Sequence, residues 1–243
     1  MTITSFGELW QEITNAQPTP PRWLVLAAAG VAAAMVAYRP VWRLARNAVT
    51  IAHEGGHALI ALCTGRRLSG IRLHADTSGV TISYGKPTGP GMVLTALAGY
   101  VAPPLLGLGG AALLSFGHIT ALLWASVVLL GLMLLMIRNF FGLLTMLATG
   151  AAVFAATWYA DARIQAGFAY LAVWFLLFGG VRPIVELQAQ RRSGRAANSD
   201  ADQLAGLTRL PGIFWVFVFS VVGLGCLALG GYWLIPVAGR LPL

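Results

Sequence analysis

The chain of 243 residues is 58% hydrophobic and 10% charged, with a mean hydropathy of +0.75, whereas ordinary soluble domains carry roughly 25% charged residues. That composition excludes a soluble globular protein and specifies one embedded in a lipid bilayer. The net charge of +8 does not point to nucleic acid, because the basic residues are scattered through short loops with neither a basic stripe nor base-stacking aromatics.

Residues 1–22 form an N-terminal segment without the basic start of a signal peptide, in which Glu8 and Glu12 fit a solvated helix. The first apolar run follows Arg22 and is expected to stay in the membrane as a helix and act as its own insertion signal. Residues 23–243 read as one membrane-embedded domain, with apolar stretches at about 23–38, 47–64, 92–116, 118–137, 140–159, 165–183 and 212–236. The weak boundary at "FGH" (116–118) makes six or seven spans. Between the second and third stretches, "LSGIRLHADTSGVTISYG" (68–85) alternates around a turn and predicts a β-hairpin. A polar loop occupies 186–210. The expected fold is an all-α polytopic membrane protein with a short β-hairpin after the second span. Counting Lys and Arg at the span ends gives eleven against five in favour of a cytoplasmic N-terminus, although Arg39, Arg43 and Arg46 count against it locally. Cys63 and Cys226 lie in apolar stretches without ligand spacing and read as small hydrophobes.

Within the second stretch, "AVTIAHEGGHALIALCTG" (48–65) carries His53, Glu54 and His57, which spell HExxH. On a helix, residues four apart share a face, so both imidazoles can reach one metal ion, and the adjacent glutamate can serve as general base. An unpaired carboxylate in hydrocarbon costs on the order of 2.5 kcal/mol or more, so ionisable groups in a span mark function. Gly55 and Gly56 leave room for a close helix or for an extended substrate backbone.

Catalytic zinc sites take a third protein ligand and keep one position open. Asp76 fits a hairpin turn with His74 nearby, His118 sits at a span boundary, and Asp161 sits where it would cap a helix. Glu186, Asp200 and Asp202 remain. Ser199 and Asp202 have the spacing of a capping box, ahead of Leu204, Leu207 and Leu210 on a short helix, which leaves Asp200 without a structural role.

Three segments together resemble the site-2 protease family of intramembrane zinc metallopeptidases, and more closely its compact M50-like bacterial subgroup. They are "HEGGHALIALCTGRRLSGIRL" (53–73) with the glycine-rich "AGYVAPPLLGLGGAALL" (98–114), "RNFFG" (138–142) and "SDADQLAGLTRLPGIFW" (199–215). The resemblance covers roughly residues 47 to 220. It implies cleavage of peptide bonds in or beside the membrane helix of a protein substrate, with His53 and His57 as Zn2+ ligands and Glu54 as base. It also implies an integral protein of a bacterial cytoplasmic membrane. The "LDG" that supplies the third ligand in better-known relatives is absent, and "RNFFG" offers Asn139 in a similar place. The recurring "SDA" favours Asp200, with Asn139, Gly55 and Gly56 left to substrate contact. The missing "LDG" also gives a second expectation, a metal-binding but proteolytically inactive scaffold or chaperone for other membrane helices. A small-solute transporter fits poorly, because the chain has no repeated halves.

Overall fold

A computed structural model describes residues 6–194 and 199–235. Nine helices and one hairpin follow in chain order among them: α1 (Phe6–Thr14), α2 (Arg22–Ala37), α3 (Arg39–Cys63), β1 (Arg67–Leu73), β2 (Gly79–Tyr84), α4 (Pro90–Ser115), α5 (Ile119–Leu134), α6 (Phe140–Tyr159), α7 (Ala162–Arg192), α8 (Asp200–Thr208) and α9 (Gly212–Leu234). Arg195 and Arg240 of the charge count lie outside the described residues.

The predicted helices and hairpin are present, but they divide the membrane differently. Four helices, α4, α6, α7 and α9, are long and apolar enough to cross a bilayer. α2 and α3 meet at 103° and together count as a fifth. The six or seven spans expected from apolar runs are therefore not reproduced, for two reasons. α2 and α5 have 16 residues each, about 24 Å of helix against a ~30 Å hydrocarbon core. The 47–64 run is also not a separate helix. It is the second half of α3, whose first half starts at Arg39-Pro40 and carries Arg43 and Arg46. Proline is tolerated in that first turn, where its missing N–H has no partner to lose.

α4 runs through the centre and packs against α3, α7, α8 and α9. Its internal Pro103 and Pro104 are buried, and Gly180 of α7 admits Pro104 where a β-carbon would sit 2.8 Å from its Cδ. One core joins α2, α4 and α7 around Ala169, Val173, Trp174 and Leu177. A second, of Ala96, Ile184, Leu187, Ala201, Leu204 and Phe219, clamps α8 between α4, α7 and α9. A third lies under the hairpin and contains Ile51, Ala58, Ile71, Leu73 and Met146.

The hairpin is antiparallel, with Ile71 opposite Thr81 and Leu73 opposite Gly79. Its turn is closed by Asp76, whose Oδ1 accepts from the Ser78 amide (3.0 Å) and hydroxyl (2.6 Å). Those bonds hold the exposed Asp76 carboxyl below its ordinary range. The outer edge of β1 is also occupied. The Ile71 amide donates to the Met136 carbonyl (2.8 Å), and the Arg138 amide donates to the Ile71 carbonyl (2.9 Å). Asn139 continues the ladder with its side chain, accepting from the Leu73 amide (3.1 Å) and donating to the Leu73 carbonyl (2.7 Å).

Candidate metal centre

The helical repeat of α3 sets His53 and His57 one turn apart on a single face, with their Nε2 atoms 3.1 Å apart. The chain returns to them some 140 residues later, where Asp200 opens α8. Asp200 Oδ2 stands 3.2 Å from His53 Nε2 and 3.3 Å from His57 Nε2. With metal–ligand bonds of about 2.0–2.2 Å, tetrahedral zinc requires ligand atoms roughly 3.3–3.6 Å apart. The three atoms form a triangle of nearly that size, and they are the one group of three His, Cys, Asp or Glu side chains among the described residues placed to hold a metal.

Asp200 Oδ2 is buried and has no hydrogen-bond donor. A buried carboxylate oxygen without a donor is costly, and a cation on the line to both imidazoles would satisfy it. The residues therefore fit a zinc ion.

Surrounding groups orient the donors. His57 Nδ1 lies 2.7 Å from the Thr95 carbonyl, so that nitrogen carries the proton and Nε2 keeps its lone pair for the metal. His53 meets the Tyr100 ring edge-on at 4.9 Å, and Tyr100 stacks on Phe219 of α9 at 4.8 Å. Between Thr95 and Tyr100, Gly99 presses its backbone against the two imidazoles, so that a β-carbon there would lie 2.6 Å from His53 Nε2. On α8, Ser199 and Asp202 form the expected capping box, and Arg191 of α7 pairs with Asp202. With Ala201 and Leu204 fully buried beside it, α8 is fixed with Asp200 facing the histidines.

Glu54 is 4% exposed. Thr81 of β2 donates its hydroxyl to Glu54 Oε2 (2.7 Å) and lies 3.1 Å from the Glu54 carbonyl. Gly79 covers the same carboxylate so closely that a β-carbon would sit 2.6 Å from Oε1. β2 also keeps a free edge at this point. Residues opposite one another in an antiparallel pair exchange either both backbone bonds or neither. Ile71 and Leu73 spend theirs on 136–139, so their partners Thr81 and Gly79 point their N–H and C=O groups away from β1. No other described element supplies these groups with a backbone partner.

The remaining sequence candidates stand elsewhere. Asn139, expected among substrate contacts, makes its side-chain hydrogen bonds to Leu73 at the edge of β1. Asp161 caps α7 by accepting from the Arg163 and Ile164 amides at 2.9 and 3.0 Å. Glu186 accepts from Trp42 Nε1 (2.9 Å) and Arg182 Nε (3.0 Å), and pairs with Arg46 at 3.3 Å. Gly55 and Gly56 provide close approach, but to this chain's own helices. Their β-carbons would meet Met133 Sδ at 2.9 Å and the Ala98 carbonyl at 2.8 Å.

A family model described as Peptidase M50B-like matches residues 26–230. The chain belongs to that family. No curated protein and no solved structure matches it. Membership in the M50B-like peptidases, together with the apolar helices, makes the chain an integral membrane protein of metallopeptidase type. Within that frame, sequence reasoning overlooked Thr81, Thr95, Gly99 and Tyr100. The alternation of β2 puts Thr81 on the same face as Gly79, and that pairing was the one available signal. Gly99 and Tyr100 fall in the glycine-rich "AGYVAPPLLGLGGAALL", but no local signal assigns them or Thr95 to the histidines, because that role comes from α4 crossing α3.

Proposed function

We propose that the protein is a zinc-dependent intramembrane endopeptidase that hydrolyses peptide bonds in or beside the membrane helices of protein substrates. The observation that carries this reading is the meeting of His53, His57 and Asp200 around one point, with the Glu54 carboxylate beside them. Bound zinc would polarise the peptide carbonyl and acidify a water molecule. Glu54 takes the proton from that water and delivers it to the leaving amine. Thr81 anchors Oε2 of the base. The free edge of β2, beside Glu54, offers Gly79 and Thr81 backbone groups to an extended peptide by strand addition. A substrate helix has to unwind locally to use it.

The test pairs two measurements on Glu54→Gln. Membranes from cells expressing wild type or the variant are profiled for new peptide N-termini, and the purified proteins are assayed for zinc. The expected result is equal zinc content with cleavage only in wild type. Unchanged cleavage by the variant removes Glu54 from the chemistry.

A further inference from the structure

Toward the start of α3, beyond the hairpin turn, lies a cavity of about 490 Å³ that the reaction does not use. Its lining includes Arg39, Arg43 and Arg46 of α3, Arg182 and Glu186 of α7, and the hairpin turn at Asp76 and Thr77. The three α3 arginines are spaced i, i+4 and i+7 and share one helix face. Glu186 serves both Arg46 and Arg182, and Arg182 lies 4.8 Å above the Trp42 ring, so one carboxylate fixes two guanidiniums. Arg39 and Arg43 are exposed and have no carboxylate partner among the described residues. Asp76, on the rim, is already engaged by Ser78. The cavity is thus a preformed cationic site with unspent charge.

Its position gives it a ligand. Thr50 donates to the Thr77 carbonyl (2.8 Å) and Thr81 donates to Glu54 (2.7 Å), so the chain from 77 to 81 runs alongside α3 from 50 to 54. An extended peptide on the β2 edge that continues past Gly79 therefore passes Thr77 and reaches Arg46 and Arg43. Arg43, the nearer of the two arginines without a carboxylate, precedes His53 by ten residues, about 15 Å along the helix, which is about four to five residues of extended chain. We infer that the Arg39–Arg43–Arg46 cavity is a substrate subsite for an acidic side chain about four to five residues to one side of the scissile bond. The inference rests on the peptidase reading and adds a substrate preference to it. Because the cavity continues the line of the β2 edge and is walled by the hairpin turn, the anion belongs to a chain held on that edge and not to a lipid headgroup.

The probes are single-span peptides in detergent micelles, identical except for one Asp or Asn moved stepwise through six positions on either side of the midpoint. Binding is measured to zinc-loaded Glu54→Gln, and cleavage by wild type locates the scissile bond. The expected result is that Asp is preferred over Asn roughly five- to tenfold in a narrow window. The preference should fall to unity when Arg39→Gln and Arg43→Gln are added, and should shrink with Arg43→Gln alone. A flat panel, or a preference that survives both substitutions, overturns the subsite. Arginine-dependent binding to phosphatidylglycerol vesicles alongside a flat panel overturns it in favour of lipid. A preference in the binding assay with no cleavage by wild type sinks the peptidase reading and leaves the subsite standing, whereas cleavage without preference does the reverse.

Discussion

Gly99→Ala separates the metal centre from the fold that carries it. A β-carbon at this position would lie 2.6 Å from His53 Nε2 and from His57 Cε1, where ordinary contact begins at 3.4 Å. The imidazoles therefore have to retreat by about 0.8 Å, several times the ~0.2 Å tolerance of metal–ligand bonds. Changes to groups that merely orient ligands cost roughly 10- to 100-fold in metal affinity. Displacing two ligand rings should cost at least about 100-fold by the same scale. The fold should feel much less. The atoms in the way are the far ends of side chains that can rotate, so overpacking stays at or below the usual 1–3 kcal/mol. Zinc affinity is read by competition with a chromophoric chelator in detergent, and the apo protein is followed by thermal unfolding. Wild-type zinc affinity in Gly99→Ala would refute the placement of the ion between α3 and α4. A collapse of the apo unfolding temperature would show that Gly99 serves packing instead.

Thr81→Val removes the hydroxyl that anchors the buried Glu54 carboxylate, a loss of about 1–3 kcal/mol. Turnover should fall roughly 5- to 150-fold at unchanged zinc content, and Thr81→Ser should restore most of it. A Val variant with full turnover would detach Thr81 from the base. The capping box on α8 makes a pH prediction. Burial pushes the Asp202 carboxyl up, but its bonds to Ser199 and Arg191 win and hold it below the ordinary value. A depressed carboxyl stabilises the fold above its unfolded pKa of about 4 and loses that contribution as pH falls through the folded value. Wild type should therefore unfold at a higher temperature than Asp202→Asn near pH 6, and the gap should close as the pH drops below about 4. A gap that widens in acid contradicts the assignment.

The sequence showed helix identities and the hairpin clearly, because each leaves a local signal: long apolar runs, and a strict alternation broken by "ADTSG". The span count was less legible. Hydropathy sees the 47–64 run, but it does not see that Arg39 to Arg46 continue the same helix or that the chain turns by 103° at Tyr38. The site divided along the same line. His53 and His57 are one turn apart, so spacing alone pairs them. Asp200 could be singled out only by exclusion, through the capping roles of its neighbours, and by the recurring "SDA" of the family resemblance. The Leu73 contacts of Asn139 had no local signal, because an amide in "RNFFG" can serve a backbone edge as readily as a substrate.

The acidic residues show how the architecture tells a ligand from a scaffold. Asp76 is taken up by Ser78, Asp161 by the start of α7, Glu186 by two arginines and an indole, and Asp202 by Ser199 and Arg191. Each has at least one carboxylate oxygen whose donors belong to the protein. Asp200 Oδ2 is buried beside two imidazole nitrogens without a donor. Glu186 Oε2 likewise accepts no hydrogen bond, but it has the Arg46 guanidinium at 3.3 Å, whereas the neighbours of Asp200 Oδ2 are two imidazoles that would share a metal ion with it. The same reasoning applies to the arginines. Arg46 and Arg182 are completed by Glu186, while Arg39 and Arg43 are not, and the unspent charge lies on the path that an extended chain along β2 would take.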